Sequence, residues 1–174
     1  MVSLASCLLC SCNQRHGVVE VRLVATAGLH GQIYSDDPLT GIQREMSAAR
    51  LSSFLKQQRS DNANLVYADA GDLLCGSAET YHDRSAVFDM TDISALAMNA
   101  LECDAVVFGD GDFSLSAESM YNFYNACNAT VLCADMGYLD CGDFFPPYVT
   151  VVRHGVRITL IGLTSYPMDS LKLV

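Results

Sequence analysis

The sequence contains no tryptophan, and it is poor in positive charge: 10 Lys and Arg stand against 20 Asp and Glu, for a formal net charge of −10. Nucleic acid and anionic membrane surfaces reward clustered Lys and Arg, so this balance argues against both as partners. It also repels phosphorylated substrates unless a metal reverses the local field. No apolar run approaches the ~18 residues needed to span a bilayer. Neither an internal repeat nor a low-complexity tract is present. Cys7-x-x-Cys10 has no second pair or histidine at zinc spacing, which argues against a structural zinc site. Cys75, Cys103, Cys127, Cys133 and Cys141 stand singly, mostly among apolar neighbours, and read as buried free thiols.

What is present is enough for one sizeable core: 174 residues, of which 51% are hydrophobic. Residues 1–17 form an apolar segment without a basic start. Leu4-Ala5-Ser6-Cys7 has the form of a lipoprotein cleavage box, so the segment is either the remnant of a secretion signal or an apolar end that frays. The first alternative implies a periplasmic or extracellular chain anchored by lipid. Residues 18–174 then form the body of the protein.

Within that body, apolar β-branched runs alternate with helical periodicity. Strands are expected at 18–24, 65–68, 105–108 and 130–134, and helices at 46–56, 89–101 and 116–127. The first helix would bury Met46, Ala49, Leu51, Phe54 and Leu55. The second would bury Ile93, Leu96, Ala97 and Ala100. The segment "YVTVVRHGVRITLIGL" reads as a hairpin turning at His154-Gly155. Strands alternating with helices imply an α/β fold, a largely parallel sheet covered by helices on both faces. Polar turns follow three of the strands: "TAGLHG", "DAGD" and "GDGD". In such folds, ligands bind at the carboxyl ends of the strands.

Three motifs in this order resemble the metallophosphoesterases. They are Thr26-Ala27-Gly28-Leu29-His30-Gly31, Asp69-Ala70-Gly71-Asp72 and Gly109-Asp110-Gly111-Asp112-Phe113-Ser114, with the closing "GVRITLIGLT". The resemblance is strongest to the 5'-nucleotidase and 2',3'-cyclic-nucleotide phosphodiesterase branch of the calcineurin-like superfamily. It runs from about residue 18 to 164. That branch carries Thr-x-Asp-x-His-Gly, Asp-Ala-Gly-Asp and Gly-Asn-His-Glu-Phe-Asp at matching places. It hydrolyses nucleotide phosphate esters with two divalent metal ions, which clamp the phosphate and supply a hydroxide. A histidine serves the leaving oxygen.

Carried across residue by residue, the resemblance gives His30 and Asp72 as metal ligands, Asp72 in the bridging place. Asp110 replaces an asparagine ligand and keeps an oxygen donor. Gly28 stands where the family has a ligand aspartate, and Gly111 where it has the catalytic histidine. Ser114 replaces the acid that orients that histidine, and Asp112 stands for a glutamate. The implied metal set is therefore His30, Asp72 and Asp110, with no catalytic residue left and the divalent ions weakly held or absent. Further ligands, mainly histidines, are expected after the "IGLT" strand, beyond the last residue, Val174. His82 and His154 lie outside the motifs.

Two functions follow from the resemblance. One is a fragment of a 5'-nucleotidase-type phosphoesterase that has lost turnover. The other is an active or split nucleotide phosphohydrolase completed by a downstream chain, with a nucleotide or another phosphate ester as substrate. Because the family sheet is completed by later strands, the chain is also expected to self-associate through an unpaired sheet edge.

Overall fold

The computed structural model describes residues 3–7, 18–85, 92–135 and 145–164. Four parallel strands form its centre: β2 (Val21–Thr26), β3 (Leu65–Asp69), β4 (Ala105–Val107) and β5 (Thr130–Leu132). They lie side by side in chain order. A further strand, β1 (Ser3–Cys7), joins the β2 edge antiparallel, with Ser3 opposite Ala25 and Cys7 opposite Val21. That strand falls inside the apolar N-terminal segment. Cys10 and Cys12 of the same segment, and Cys141 further on, lie outside the described residues.

The helices are α1 (Ala48–Asp61), α2 (Ala78–Ser85), α3 (Ile93–Ala100) and α4 (Ala117–Ala126). Three of them begin at side-chain caps. Ser47, Asp92 and Ser116 accept the N–H groups of Arg50, of Ser94 and Ala95, and of Ser119. Such caps satisfy donors that have no partner within the helix. Residues 89–91, the expected start of α3, lie outside the described residues. The polar helix α2 carries no apolar periodicity, and sequence reading left it unassigned.

The core lies on one face of the sheet. Val24, Tyr67, Val106 and Val131 point into it from the strands. They meet Leu51 and Leu55 of α1, Ala95 and Met98 of α3, and Phe123 of α4. Phe108 adds edge-to-face contacts with Phe113, Phe123 and Phe145. In α3 the buried face is Ser94, Ala95, Ala97 and Met98, whereas Leu96 is 51% exposed. The expected face of Ile93, Leu96, Ala97 and Ala100 is therefore rotated. Small residues let α3 approach closely enough for Ser94 Oγ to reach the Leu73 carbonyl at 3.4 Å, and the bulky leucine turns outward. In α1, Leu51 and Leu55 are buried as expected and Ala49 is exposed.

On the other face, Val66, Ala105 and Leu132 are buried. The hairpin of β6 (Tyr148–Arg153) and β7 (Val156–Ile161) meets this side, with β6 against β3 and β5. His154 and Gly155 form its turn, with φ of 47° and 80°. Positive φ at both central residues marks a type I′ turn, whose twist matches that of the strands. Gly162 packs so tightly on Leu132 that a Cβ there would collide with it. Among the described residues, no helix is long and apolar enough to cross a membrane.

Candidate functional site

The three glycine-rich turns meet at the carboxyl ends of β2, β3 and β4. The turns after β2 and β3 are joined by backbone hydrogen bonds. Ala70 N–H donates to Thr26, Gly28 N–H to Gly71 and His30 N–H to Asp72, at 2.7, 2.8 and 2.8 Å. His30 and Asp72 have φ of 51° and 57°, a left-handed backbone that non-glycine residues seldom adopt. Gly71 lies so close to the Gly109 backbone that a Cβ would overlap it, so glycine there is a packing requirement.

The turns after β3 and β4 are joined by a carboxylate. Asp112 is completely buried. Its Oδ1 accepts Leu73 and Leu74 N–H at 3.0 and 2.8 Å, and its Oδ2 accepts Asp72 and Gly109 N–H at 2.9 Å each. Asp72 Oδ1 in turn accepts Gly111 N–H at 2.8 Å. Burial raises the Asp112 pKa above the usual carboxylate range, against the pull of those N–H groups. Sequence reading gave Asp112 no catalytic part, and it missed this structural one. The signal available was an acid within a glycine-rich turn that lies beside two other such turns.

A second buried acid stands behind the turns. Asp69 is 1% exposed and accepts Thr26 Oγ1–H at 2.5 Å and Gly71 N–H at 2.9 Å. Desolvation pushes its pKa up to about 6, while these two hydrogen bonds pull it down. Thr26 Oγ1 also lies 2.9 Å from Tyr67 Oη, which completes a buried polar chain at the sheet's end.

The residues expected to ligate metal divide. His30 and Asp72 are brought together through their main chains, and Asp110 sits in the exposed part of the turn between Gly109 and Gly111. A Cβ at Gly28 would lie 3.4 Å from His30 Nε2, so the imidazole rests over the glycine. A Cβ at Gly111 would lie 2.9 Å from Asp72 Oδ1. Among the described residues, no three His, Cys, Asp or Glu side chains are grouped to hold a metal ion. With no donor at 28 or 111, and Asp72 Oδ1 already bound to an amide, the donors here do not fit a two-ion centre. Cys75, which the sequence placed simply as a core thiol, borders the turns, its Sγ donating to the Gly111 carbonyl at 3.6 Å.

The loop leading out of the first motif is also pinned. Arg44 is paired with both Glu79 and Asp37, and Glu79 is 6% exposed. Glu79 Oε1 further accepts Ile33 and Tyr34 N–H. Burial is the largest single influence and would raise the Glu79 pKa, but the Arg44 hydrogen bond, backbone N–H groups and the Arg44 charge together outweigh it and the net shift is downward.

No protein-family model matches the chain, and no curated protein matches it in sequence. Solved structures do match in fold. A calcineurin-like phosphoesterase from Bacillus subtilis, YfkN, superposes with a TM-score of 0.71 at 19% identity, over 83% of this chain and 48% of that one. The NAD nucleotidase NadN of Haemophilus influenzae gives 0.67 at 20% identity, over 86% of this chain and 27% of that one. A 5'-nucleotidase precursor from Thermus thermophilus gives 0.65 at 24% identity, over 83% and 28%. The fold is thus the one shared by part of these phosphoesterases. The chain spans less than half the length of the structures it matches.

Proposed function

We propose that this chain derives from the 5'-nucleotidase-type phosphoesterases and, with the residues it has, does not turn over phosphate esters. The observation that carries this reading is the state of the two glycines. The His30 ring rests over Gly28, and the Gly111 amide binds Asp72, so the places of a metal ligand and of a leaving-group acid are filled by other contacts. Loss of positioned acid–base and electrostatic groups typically costs orders of magnitude each in rate. His30, Asp72 and Asp110 remain as the donors that a divalent ion would meet at these turns, and an ion held by them would be weakly bound. The likeness to nucleotidases supports a nucleotide phosphate ester as the ligand class from which the site descends. The apolar start with its Leu4-Ala5-Ser6-Cys7 box supports export and attachment to a membrane through lipid.

The test is hydrolysis of nucleoside monophosphates and of an activated aryl phosphate, with zinc, manganese or magnesium added. No turnover above buffer is expected. Chelator-sensitive release of phosphate from AMP would overturn the reading and place the missing work on Asp110 or Asp112.

A second reading, a phosphohydrolase completed by further polypeptide, is favoured by one fact: the structures matched are more than twice as long as the part this chain covers. Turnover that appears only when the remaining part of a relative is fused or added would support it.

A further inference from the structure

Residues 148–164, which hold the hairpin, contain no Asp or Glu, although the chain as a whole has 20. Their fixed charges are Arg153 and Arg157. Arg153 turns inward and is spent: it donates to the Leu65 carbonyl and to Asp104 Oδ1, at 2.7 and 2.6 Å. The outward face consists of the cross-strand pairs Tyr148–Ile161, Thr150–Thr159 and Val152–Arg157. Tyr148, Val152 and Ile161 are 58%, 56% and 66% exposed. Among the described residues, β7 has β6 as its strand neighbour, so its other edge offers an unused ladder of N–H and C=O groups. Val156–Ile161 contains no proline, so no N–H donor is missing from the alternate residues that face that edge.

We propose that β7 pairs antiparallel with β7 of a second copy of this chain about a two-fold axis, giving the four-stranded sheet β6–β7–β7–β6. Side chains opposite one another in an antiparallel pair share a face, so the axis must pass through a residue. The register assigned has Thr159 on the axis. Ile158 then faces Leu160 of the second copy, and Arg157 faces its Ile161, laying an aliphatic stem over an exposed apolar side chain. No Arg157 meets its own mate. The charge distribution selects this occupant: two chains of net charge −10 repel over most of their surfaces, but here each presents a strand without carboxylates and only one free cation. The remaining repulsion acts across distances that ordinary salt screens. Association should therefore strengthen as salt rises.

The experiment uses the full 174-residue chain. Sedimentation at about 100 µM protein is expected to show a dimer whose population grows up to about 0.5 M salt. Thr159→Cys and Thr150→Cys are then compared for oxidative cross-linking. Both changes break the same hydrogen bond, Thr150 Oγ1 to Thr159 Oγ1 at 2.9 Å, so any effect on folding is shared. Across the proposed axis, two residues at 159 lie about 5 Å apart at Cβ, close enough for a disulfide to form after a small shift of the strands. Two at 150 lie three strand spacings apart, about 14 Å. Cross-linking of Thr159→Cys well above both Thr150→Cys and the unmodified chain supports the pairing. A chain that stays monomeric throughout leaves this edge to some other polypeptide and overturns the proposal. So do equal cross-linking of the two variants and a dimer that dissociates in salt. None of these readouts depends on phosphoesterase activity.

Discussion

Asp112 and Asp72 hold one another's turns. The Asp112 carboxylate accepts the Asp72 N–H at 2.9 Å, and the Asp72 carboxylate accepts the N–H of Gly111, next to Asp112, at 2.8 Å. Two loops that leave different strands are thereby fixed as a single unit.

Replacing Asp112 should consequently act on stability first. Asp112→Ala leaves four buried or half-buried N–H groups without an acceptor, at a cost of at least about 3 kcal/mol. Asp112→Asn keeps one acceptor oxygen and should cost about half as much. Denaturant unfolding of both variants checks the order. Equal stability of Asp112→Ala and the unmodified chain would show that the clasp contributes nothing.

Asp69 should make the protein less stable as pH rises through a defined window. Its folded pKa is near 6, above the ordinary carboxylate value of 3.8. The folded chain therefore holds this proton more tightly than the unfolded one, and stability falls between about pH 4 and pH 6 as it is lost. The full effect is on the order of 3 kcal/mol. Asp69→Asn keeps an acceptor for Gly71 N–H and cannot ionise, so its stability curve should lack this fall. Asp37 acts in the opposite sense at lower pH. Backbone N–H groups, chiefly that of Thr40, and Arg44 hold it at about 2, so its contribution is lost as pH falls from about 4 toward 2.

Glu79→Gln should loosen the segment between α1 and the first motif. Arg44 would lose its buried anionic partner, at a cost of about 3 kcal/mol. The Arg44 side chain is 10% exposed in the intact chain, so trypsin should cleave after it slowly. Faster release of a fragment ending at Arg44 in the variant is the expected result. An unchanged digestion pattern would mean that the ion pair does not hold this loop.

Gly28→Asp should be destabilising even though it adds a carboxylate beside His30. Gly28 has φ of +67°, which adds about 1 kcal/mol of strain for a side chain, and the new Cβ would stand in contact with the His30 ring. A lower melting temperature and a shifted His30 imidazole resonance are expected. Combined with Gly111→His, whose Cβ meets Asp72 Oδ1, it should still give no turnover.

The strands from β2 onward, the central helices and the His154-Gly155 turn were legible because each is a local pattern: β-branched runs, helical spacing, or two residues that tolerate positive φ. The order of the turns along the chain was legible for the same reason. What was not legible depends on contacts distant in sequence. The orientation of α3 follows from how closely Ser94 can approach Leu73, which no periodicity encodes. Asp112 reads as one more polar residue in a turn until the amides of 72–74 arrive beside it. The position of the His30 ring over Gly28 likewise follows from a left-handed backbone at two residues, and sequence spacing gave only that both sit in one turn.

The contrast between the two sheets also governs the order in which the chain can acquire structure. Each parallel pair joins strands separated by a long crossover, with Arg22 beside Leu65 and Ala68 beside Ala105, so the large sheet closes slowly. The hairpin needs only the two residues of its turn, and such units form within microseconds. Once both of its strands have been synthesised it can fold ahead of the slower-closing β3–β5 surface on which it rests. In that interval both of its faces are in solvent, and nascent chains are then at their greatest risk of joining one another.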